Sequence, residues 1–328
     1  MKSTLSSLPL LSLLLLPLGI SAQEAPPADT PKEEVLDSVR FIESADQKSQ
    51  LQTAVISFHN EGGTVVDLVS VVHIGDERYF DQMNQHLSTY DVVLYEMVGG
   101  PMETRDERQV KSEIGMTHLL QRVVQSMLGL KYQLDGIDYS PDNFVHADAN
   151  WEQWESLMEA KNQSMTTLFT RAMKMQDNEE MKEVLEKMNG EETMGSILSS
   201  ITEFNPDRFK RSLAPMLSES EAFIQQLEGE DGTVLIAERN KIVMEEVEKQ
   251  MAAGKRRIGV FYGAGHMPDF KNRLEAIGFE ERRSDWMTAW SIGNSQETVS
   301  SLDLLENVLK DDAVIEGFIT FFRELAGE

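Results

Sequence analysis

Residues 64–96 read TVVDLVSVVHIGDERYFDQMNQHLSTYDVVLYE. Residues 64–73 are rich in β-branched and apolar side chains, which predicts a strand ending at His73. After Asp76, in the position of a helix N-cap, apolar side chains recur at helical spacing at Tyr79, Phe80, Met83 and Leu87. Residues 91–96 then predict a second, buried strand. A strand, a helix and a strand in this order form a crossover unit, so the two strands are expected to run parallel in one sheet.

The sequence on both sides of this unit extends the predicted sheet. Residues 51–59 are also β-rich, and the turn-forming residues 60–63 join them to residues 64–73, which predicts a β-hairpin. Residues 257–262 predict another short apolar strand, between a helix at 238–253 and a helix that opens at Met267. The predicted fold class is therefore α/β, a mixed sheet with parallel core strands, a β-hairpin start and a helical insertion.

We predict one α/β domain over residues 39–296, with the insertion at about 151–228. The insertion is rich in Met, which is typical of a packed core and also of an adaptable substrate surface. Residues 99–112 lack apolar periodicity and predict a loop that could act as a lid. The C-terminal residues 297–328 predict a helical segment that closes the core or forms a subunit interface, so an oligomer is one expectation.

The first residues of the chain have the pattern of an export signal. Lys2 precedes an apolar run, and small residues end that run at Ala22, so residues 1–22 predict a cleaved signal peptide. A membrane anchor is the alternative, but the run is shorter than the roughly 20 apolar residues of a spanning helix. Residues 23–38 form a polar, Pro-rich linker, and the chain has no Cys. We expect an exported protein, periplasmic or secreted, without disulfides and without a stable membrane span.

The charge of the chain excludes one class of partner. It contains 30 Lys and Arg against 56 Asp and Glu, a formal net charge of −26. Nucleic-acid binding requires a basic surface that neutralises phosphates, so no nucleic-acid partner is expected. A strongly acidic surface favours solubility and attracts cations.

Three residues of metal-ligand type follow three of the predicted strands. His73 and Glu96 each end a strand, and His266 follows the third across a glycine turn that contains Gly263 and Gly265. Ligands of α/β sheets bind outside the carboxyl ends of the strands, so these side chains are expected to converge. Two imidazoles and a carboxylate are a common ligand set for a catalytic divalent metal with an open fourth position. Both His residues also precede a helix N-terminus, which favours the neutral ring.

Further polar residues are predicted to support this site. Arg239 begins the apolar stripe that continues at Val243 and Val247, so it is expected to point inward, either in a structural ion pair or toward Glu96 or a substrate carbonyl. Asp76 is interpreted as a helix N-cap or as a supporting partner of the site. Three more residues are candidates for supporting or substrate contacts, namely Asn240, His146 and Asp148.

Four segments together resemble the successive motifs of the TraB/PrgY/GumN and Tiki superfamily. They are VVHIGD at 71–76, YDVVLYE at 90–96, ERN at 238–240 and YGAGHMP at 262–268. The resemblance implies a fold of the Tiki, erythromycin-esterase and ChaN type. It also implies a metal-dependent peptidase that uses paired Gly-x-x-His motifs with a Glu and an Arg, and His73, Glu96, Arg239 and His266 match those positions. The first motif departs from the pattern, since Ser70 stands where the family has Gly.

The sequence therefore predicts an exported metal-dependent hydrolase that acts on a peptide or a small molecule. The metal is expected to be Mn, Co or Zn, bound by His73, Glu96 and His266. A metal-free esterase is one alternative, with His73 as general base and Glu96 as its orienting partner. A non-enzymatic protein that binds haem or a peptide in the same crevice is the other.

Overall fold

The computed structural model of the chain describes residues 38–44, 48–101, 128–164, 167–168, 170–171, 205–228 and 232–293. Several predicted features lie outside these residues: the signal peptide, the linker up to residue 37, the loop beyond residue 101, residues 172–204 of the insertion and the C-terminal segment.

The described strands form one large sheet and one small ladder. They are β1 (Val39–Ile42), β2 (Ser49–His59), β3 (Val65–Val71), β4 (Ile74–Gly75), β5 (Val92–Tyr95), β6 (Lys131–Tyr132), β7 (Phe144–His146), β8 (Arg257–Gly263) and β9 (Glu280–Ile292). The large sheet runs in the order β1, β2, β3, β8, β5, β7, and β9 lies off this path and pairs with β2 along the whole of that strand. Strands β3, β8, β5 and β7 are parallel, whereas β1, β3 and β9 are antiparallel to β2. The chain thus has an α/β fold with a mixed sheet and a parallel core, as predicted.

Helices cover both faces of this sheet. The described helices are α1 (Glu77–Leu87), α2 (Gln133–Gly136), α3 (Trp151–Ala160), α4 (Pro206–Glu228), α5 (Arg239–Ala252) and α6 (Met267–Ala276). On one face, the apolar side of α1 packs against side chains such as Val93 and Phe261. On the other face, α5 and α6 pack against the alternate side chains of the same strands, including Val92 and Val260. Burial on both faces explains why the core strands read as continuous apolar runs.

The predicted crossover unit and hairpin are present in the described structure. Strands β3 and β5 lie parallel with β8 between them, and α1 starts directly after Asp76. The hairpin between β2 and β3 closes through the side chain of Asn60, whose Oδ1 accepts a hydrogen bond from the backbone N of Thr64 at 2.9 Å. The sheet nevertheless begins one strand earlier than the predicted hairpin, because β1 pairs with β2.

Strand β9 is a large element that the sequence did not reveal. Its sequence is EERRSDWMTAWSI, and its first six residues are exposed. They carry five charged side chains and show no apolar alternation, which is typical of an edge strand protected against further pairing. Only the final residues, including Trp290 and Ile292, enter the core. In the described ranges, no helix is both long and apolar enough to cross a membrane.

Candidate active site

The predicted site residues gather where the parallel strands end. Glu96 follows β5 directly and His73 follows β3 by two residues. His266 ends the short 3-10 turn Ala264–His266 that continues β8, and Asp148 lies two residues beyond β7. Because these four strands are neighbours and parallel, their carboxyl ends share one edge of the sheet. The cleft position predicted for the site is therefore where these residues are found.

Arg239 connects most of this cluster through its guanidinium group. Nε and Nη2 bond the two carboxylate oxygens of Asp148 at 2.8 and 2.7 Å, and Nη2 also bonds Oε1 of Glu96 at 2.6 Å. Nη1 bonds the carbonyl of Leu235 at 3.1 Å and Nε2 of His266 at 3.2 Å. A guanidinium has five N–H donors, and all five have acceptors here. This arrangement leaves no donor for the substrate carbonyl that the sequence had suggested as one partner.

The backbone before Arg239 explains how it is aimed inward. A π-helical turn over Val234–Glu238 runs directly into α5, and Arg239 is the first residue of that helix. Arg239, Val243 and Val247 are all buried, which confirms the predicted inward stripe. The extra residue of a π-turn rotates the chain between two helical segments, and such turns are frequent at functional sites.

Asp148 is the structural partner of Arg239. Its side chain has no exposed surface. Besides the guanidinium, it accepts hydrogen bonds from the backbone N of Met97 at 2.9 Å and of Ala149 at 2.7 Å. Asp148 thereby joins the segment after β5 to the segment after β7. It supports the cluster from behind and presents no surface to a substrate.

Glu96 is held by one cation and one backbone amide. Its Oε1 accepts from Arg239, and its Oε2 accepts from the backbone N of Gly263 at 2.7 Å. A Cβ at Gly263 would stand only 3.2 Å from that oxygen, so a glycine suits this close approach. Burial alone would raise the pKa of the Glu96 carboxyl, but the positive charge beside it, chiefly that of the Arg239 guanidinium, holds the pKa well below its usual value. Glu96 is therefore an anion, with 18% of its side chain exposed to solvent.

The hydrogen bonds of His266 define which ring nitrogen carries the proton. Asn240 donates through Nδ2 to the carbonyl of His266 at 3.1 Å and to Asp269 at 2.7 Å, which orients its amide. Its Oδ1 therefore accepts from Nδ1 of His266 at 2.6 Å. Nε2 must be the acceptor for Arg239, because a guanidinium can only donate. The proton of His266 thus lies on Nδ1, and the lone pair of Nε2 faces the cluster.

His73 has the same pattern of hydrogen bonds but is more accessible. Its Nδ1 bonds Oε1 of Gln133 at 2.9 Å, and Nε2 of Gln133 donates to the hydroxyl of Tyr139 at 3.0 Å. Nε2 of His73 has no hydrogen-bond partner among the described residues. Burial lowers the pKa of His73, although nearby Glu96 opposes that shift. A half-buried, neutral imidazole with an open Nε2 has the form required of a general base or a metal ligand.

The charges of the cluster favour a bound cation. Burial would lower the pKa of Arg239, but Asp148 and Glu96 hold it well above its usual value, so the guanidinium stays charged. One cation thus faces two carboxylates, which leaves one net negative charge. Nε2 of His266 and Oε1 of Glu96 are 3.6 Å apart. Even so, within the described ranges no three His, Asp or Glu side chains form a group that could hold a metal ion.

Other predicted residues occupy different positions around the site. Asp76 is at the N-cap of α1, but its side chain accepts from the backbone N of Ser291 at 2.7 Å and lies 3.7 Å from Lys210, so it connects the helix start to β9. His146 donates from Nε2 to the carbonyl of Met97 at 2.7 Å and therefore supports the segment after Glu96.

The two glycines of the turn after β8 are both closely packed. Gly263 approaches Glu96, and a Cβ at Gly265 would stand only 2.5 Å from Cδ1 of Ile224 on α4. Each glycine thus permits a contact that a larger residue would obstruct, which agrees with the tight turn expected from the sequence.

Gln133 and Tyr139 are site-supporting residues that sequence reasoning missed. Gln133 is the first residue of a single helical turn that directly follows a two-residue strand, and neither element has a detectable periodicity. Tyr139 is buried against Tyr95 and Phe144, so it reads as an ordinary core aromatic. The pairing of β4, directly after His73, with β6 could have indicated that Gln133 lies opposite His73. With only two residues, however, β4 is too short to be recognised from the sequence.

Comparison with protein-family models gives no match for this chain, and comparison with curated proteins gives none either.

Proposed function

We propose that the chain is an exported metal-dependent hydrolase of the TraB and Tiki type, with its centre at His73, Glu96 and His266. One observation carries the proposal. Each imidazole bonds a side-chain amide oxygen through Nδ1, so its Nε2 faces the cluster of the ionised Glu96 carboxylate; Nε2 is open in His73 and accepts from Arg239 in His266. Two such nitrogens and a carboxylate are the donor set that catalytic Zn²⁺ and similar ions use in proteins.

The surroundings of the site fit a divalent cation on two further grounds. The cluster has one negative charge in excess, and the Nδ1 partners of the two His residues are the kind of supporting contact that orients metal-bound imidazole. A metal held by these residues would supply Lewis-acid chemistry for the cleavage of a peptide or ester carbonyl. The chain's own residues would orient that centre: Arg239 holds Glu96, Asn240 holds Nδ1 of His266, and Nε2 of His266 would exchange its bond from Arg239 for the metal.

The substrate class and the location follow from separate features. An extracytoplasmic peptide is the proposed substrate, since the family resemblance implies a peptidase and residues 1–22 have the pattern of an export signal. A small ester is the alternative substrate, because the same donors would act on its carbonyl. Mn, Co and Zn are the proposed metals.

The deciding experiment is elemental analysis of purified protein together with a hydrolysis assay. We expect close to one Mn, Co or Zn per chain, peptide cleavage that stops with EDTA, and recovery when the metal is restored. His73→Ala should lose both metal and cleavage. His59→Ala is the matched control, because His59 is exposed at the end of β2. Protein that carries no metal and keeps its activity in EDTA would contradict the metal proposal, and a haem absorption band would favour a binding protein.

A metal-free hydrolase is the second candidate, and a specific observation favours it. Arg239 already bonds both Nε2 of His266 and Oε1 of Glu96, whereas Nε2 of His73 is open. In that mechanism His73 takes a proton from water or a hydroxyl while it is neutral. Its orienting partner is Gln133 and not Glu96, which changes the assignment expected from the sequence. Chelator-resistant cleavage that is lost in His73→Ala would support this candidate.

A further inference from the structure

Gln133 holds His73 through both its backbone and its side chain. Its backbone N donates to the carbonyl of His73 at 2.7 Å, and its Oε1 bonds Nδ1 of the same residue at 2.9 Å. Gln133 is only 5% exposed, so these bonds are largely shielded from water. No residue of the proposed donor set is involved apart from His73 itself.

The strand pairing explains why this residue is opposite His73. Strand β6 is antiparallel to β4, with Ile74 paired to Tyr132 and Gly75 paired to Lys131. In an antiparallel ladder, the next pair along is therefore His73 with Gln133. The ladder thus brings the side chain of Gln133 to the imidazole as a consequence of register.

The amide of Gln133 is itself oriented. Its Nε2 donates to the hydroxyl of Tyr139 at 3.0 Å, so Oε1 is left to face the imidazole. The ring of Tyr139 lies against Tyr95 and Phe144, with centroid separations of 5.2 and 5.8 Å. In this orientation Oε1 can only accept, so Nδ1 must carry the proton; a flipped amide would instead require the proton on Nε2, so the amide orientation and the tautomer are set together.

Asn240 provides the same chemistry for His266, from a different element of the fold. Its Oδ1 bonds Nδ1 at 2.6 Å, and its Nδ2 is engaged by the His266 carbonyl and by Asp269. Two separate segments of the chain therefore supply the same interaction, in which a neutral side-chain amide oxygen bonds Nδ1 of a histidine. A neutral acceptor selects one tautomer without adding another negative charge to a cluster that already has an excess.

We infer that Gln133 is a positioning residue that keeps the proton of His73 on Nδ1, so that His73 acts through Nε2. The inference deepens the proposed function, and only its kinetic consequence rests on that function. The tautomer is a property of the folded protein and can be measured whether or not the protein is a hydrolase.

The test is ¹⁵N NMR of the His73 ring, recorded in wild type, Gln133→Met and Gln133→Glu at a pH where the ring is neutral. Wild type should show a protonated Nδ1 and an unprotonated Nε2. Gln133→Met removes the acceptor at similar volume, so the two tautomers should become mixed. Gln133→Glu keeps an acceptor and should retain the wild-type tautomer. Gln82→Met is the matched control, because Gln82 is exposed on α1.

The kinetic arm uses the same variants. Loss of a residue that orients a reacting or metal-bound imidazole lowers activity or metal affinity by about 10–100-fold. We expect Gln133→Met to lower kcat by that factor with little change in KM, and Gln133→Glu to restore part of the loss. A wild-type ring protonated on Nε2, or an unchanged tautomer in folded Gln133→Met, would overturn the inference. If Gln133→Met does not fold, the wild-type and Gln133→Glu spectra decide, and a protonated Nε2 in either one overturns it. A correct tautomer pattern without any hydrolysis would leave the inference standing and count against the proposed function alone.

Discussion

Two buried carboxylates at opposite ends of the parallel strands have very different surroundings. Asp148, beyond the end of β7, accepts four hydrogen bonds, two of them from Arg239. Asp67, near the start of β3, accepts one from the hydroxyl of Tyr90 at 2.8 Å, and its Oδ1 has no partner among the described residues. Burial is similar, at 4% and 3% exposed, so burial alone does not identify a site. The two ends of the strands differ because both oxygens of Asp148 have hydrogen-bond donors, and one of those donors is the positively charged Arg239.

The carboxylate of Asp67 is at one end of a short series of hydrogen bonds that connects it to Tyr90 and His86. Tyr90 uses its single O–H for Asp67, so Nε2 of His86, at 2.7 Å from the same hydroxyl, must donate to it. A Cβ at residue 259 would stand only 2.9 Å from the ring of Tyr90, which is a packing reason for Gly259. Among the residues that the structure describes, the end of the sheet where β3 starts thus has an acid and a histidine but no buried Lys or Arg beside them, which makes it a natural control for the other end.

The largest expected effect is that of Asp148→Asn on stability. The substitution leaves the Arg239 guanidinium buried with half of its bidentate partner, and breaking a buried ion pair costs about 3–5 kcal/mol. Urea unfolding should therefore show a loss of that size. Asp67→Asn keeps an acceptor for Tyr90 and removes a poorly solvated charge, so it should change the unfolding free energy by less than about 1 kcal/mol. Equal losses in the two variants would remove the distinction between the two ends.

A second large effect is expected for Arg239→Lys. Lysine has three donors on one nitrogen, so at least two of the five acceptors around Arg239 lose their partner. Each buried polar group left without a partner costs about 1–3 kcal/mol, so we expect a loss of at least about 2 kcal/mol together with lower activity. Arg282→Lys is the matched control, since the Arg282 side chain is 59% exposed and its ion pair with Glu280 contributes little. A stable Arg239→Lys protein would show that the five bonds are not needed for folding.

The positions of His73, Glu96, Arg239 and His266 could be predicted from the sequence for a physical reason. Strand ends and helix starts are marked by local patterns, and parallel strands bring their carboxyl ends together wherever the chain between them goes. Their partners carry no such mark. Gln133 is placed opposite His73 only by a two-residue ladder. Asp148 bonds Arg239 although the two residues are 91 positions apart in the chain. Such contacts depend on register and packing, which single-sequence patterns do not encode.

Strand β9 illustrates the same limit at the level of the fold. Its position in the sheet comes from pairing with β2 across 11 residue pairs, and those hydrogen bonds are indifferent to the charged side chains at its start. Backbone pairing at an edge can therefore form a strand where side-chain pattern predicts none.

The next effect separates the two histidines of the site. His266 is 4% exposed and has partners on both nitrogens, so His266→Ala should leave Asn240 and Arg239 each without one partner, at about 1–3 kcal/mol for each. His73 is half-buried and bonds through one nitrogen, so His73→Ala should cost less. Both variants should lose bound metal and hydrolysis, and the double variant should lose no more activity than either single one. Thermal unfolding with elemental analysis tests both points, and an additive loss of activity would count against a shared centre.

The smallest effect is a dependence of stability on pH, and it tests both ends of the sheet at once. Burial, the largest cause in each case, lowers the pKa of His73 at the site and of His86 beside Tyr90. A histidine whose folded pKa is below its unfolded value of about 6.5 binds protons more readily in the unfolded chain, so stability is fully present above about pH 6.5 and is lost as pH falls. Each such group contributes a slope of at most about 1.4 kcal/mol per pH unit, well below the effects of Asp148→Asn. The pKa of Glu96 is also depressed, but its contribution is lost only at still lower pH, as the carboxyl takes up a proton.

Urea unfolding between pH 8 and pH 5 should therefore show stability declining below about pH 6.5 in wild type. His73→Gln and His86→Gln should each flatten part of that decline, whereas His59→Gln, at an exposed position, should leave it unchanged. The two contributions come from separate ends of the sheet and share no hydrogen-bond partner, so the double variant should flatten the decline by the sum of the two. If His73→Gln leaves the decline intact while His86→Gln removes it, His73 is not held neutral by burial, and the assignment of an open, neutral Nε2 at the site fails with it.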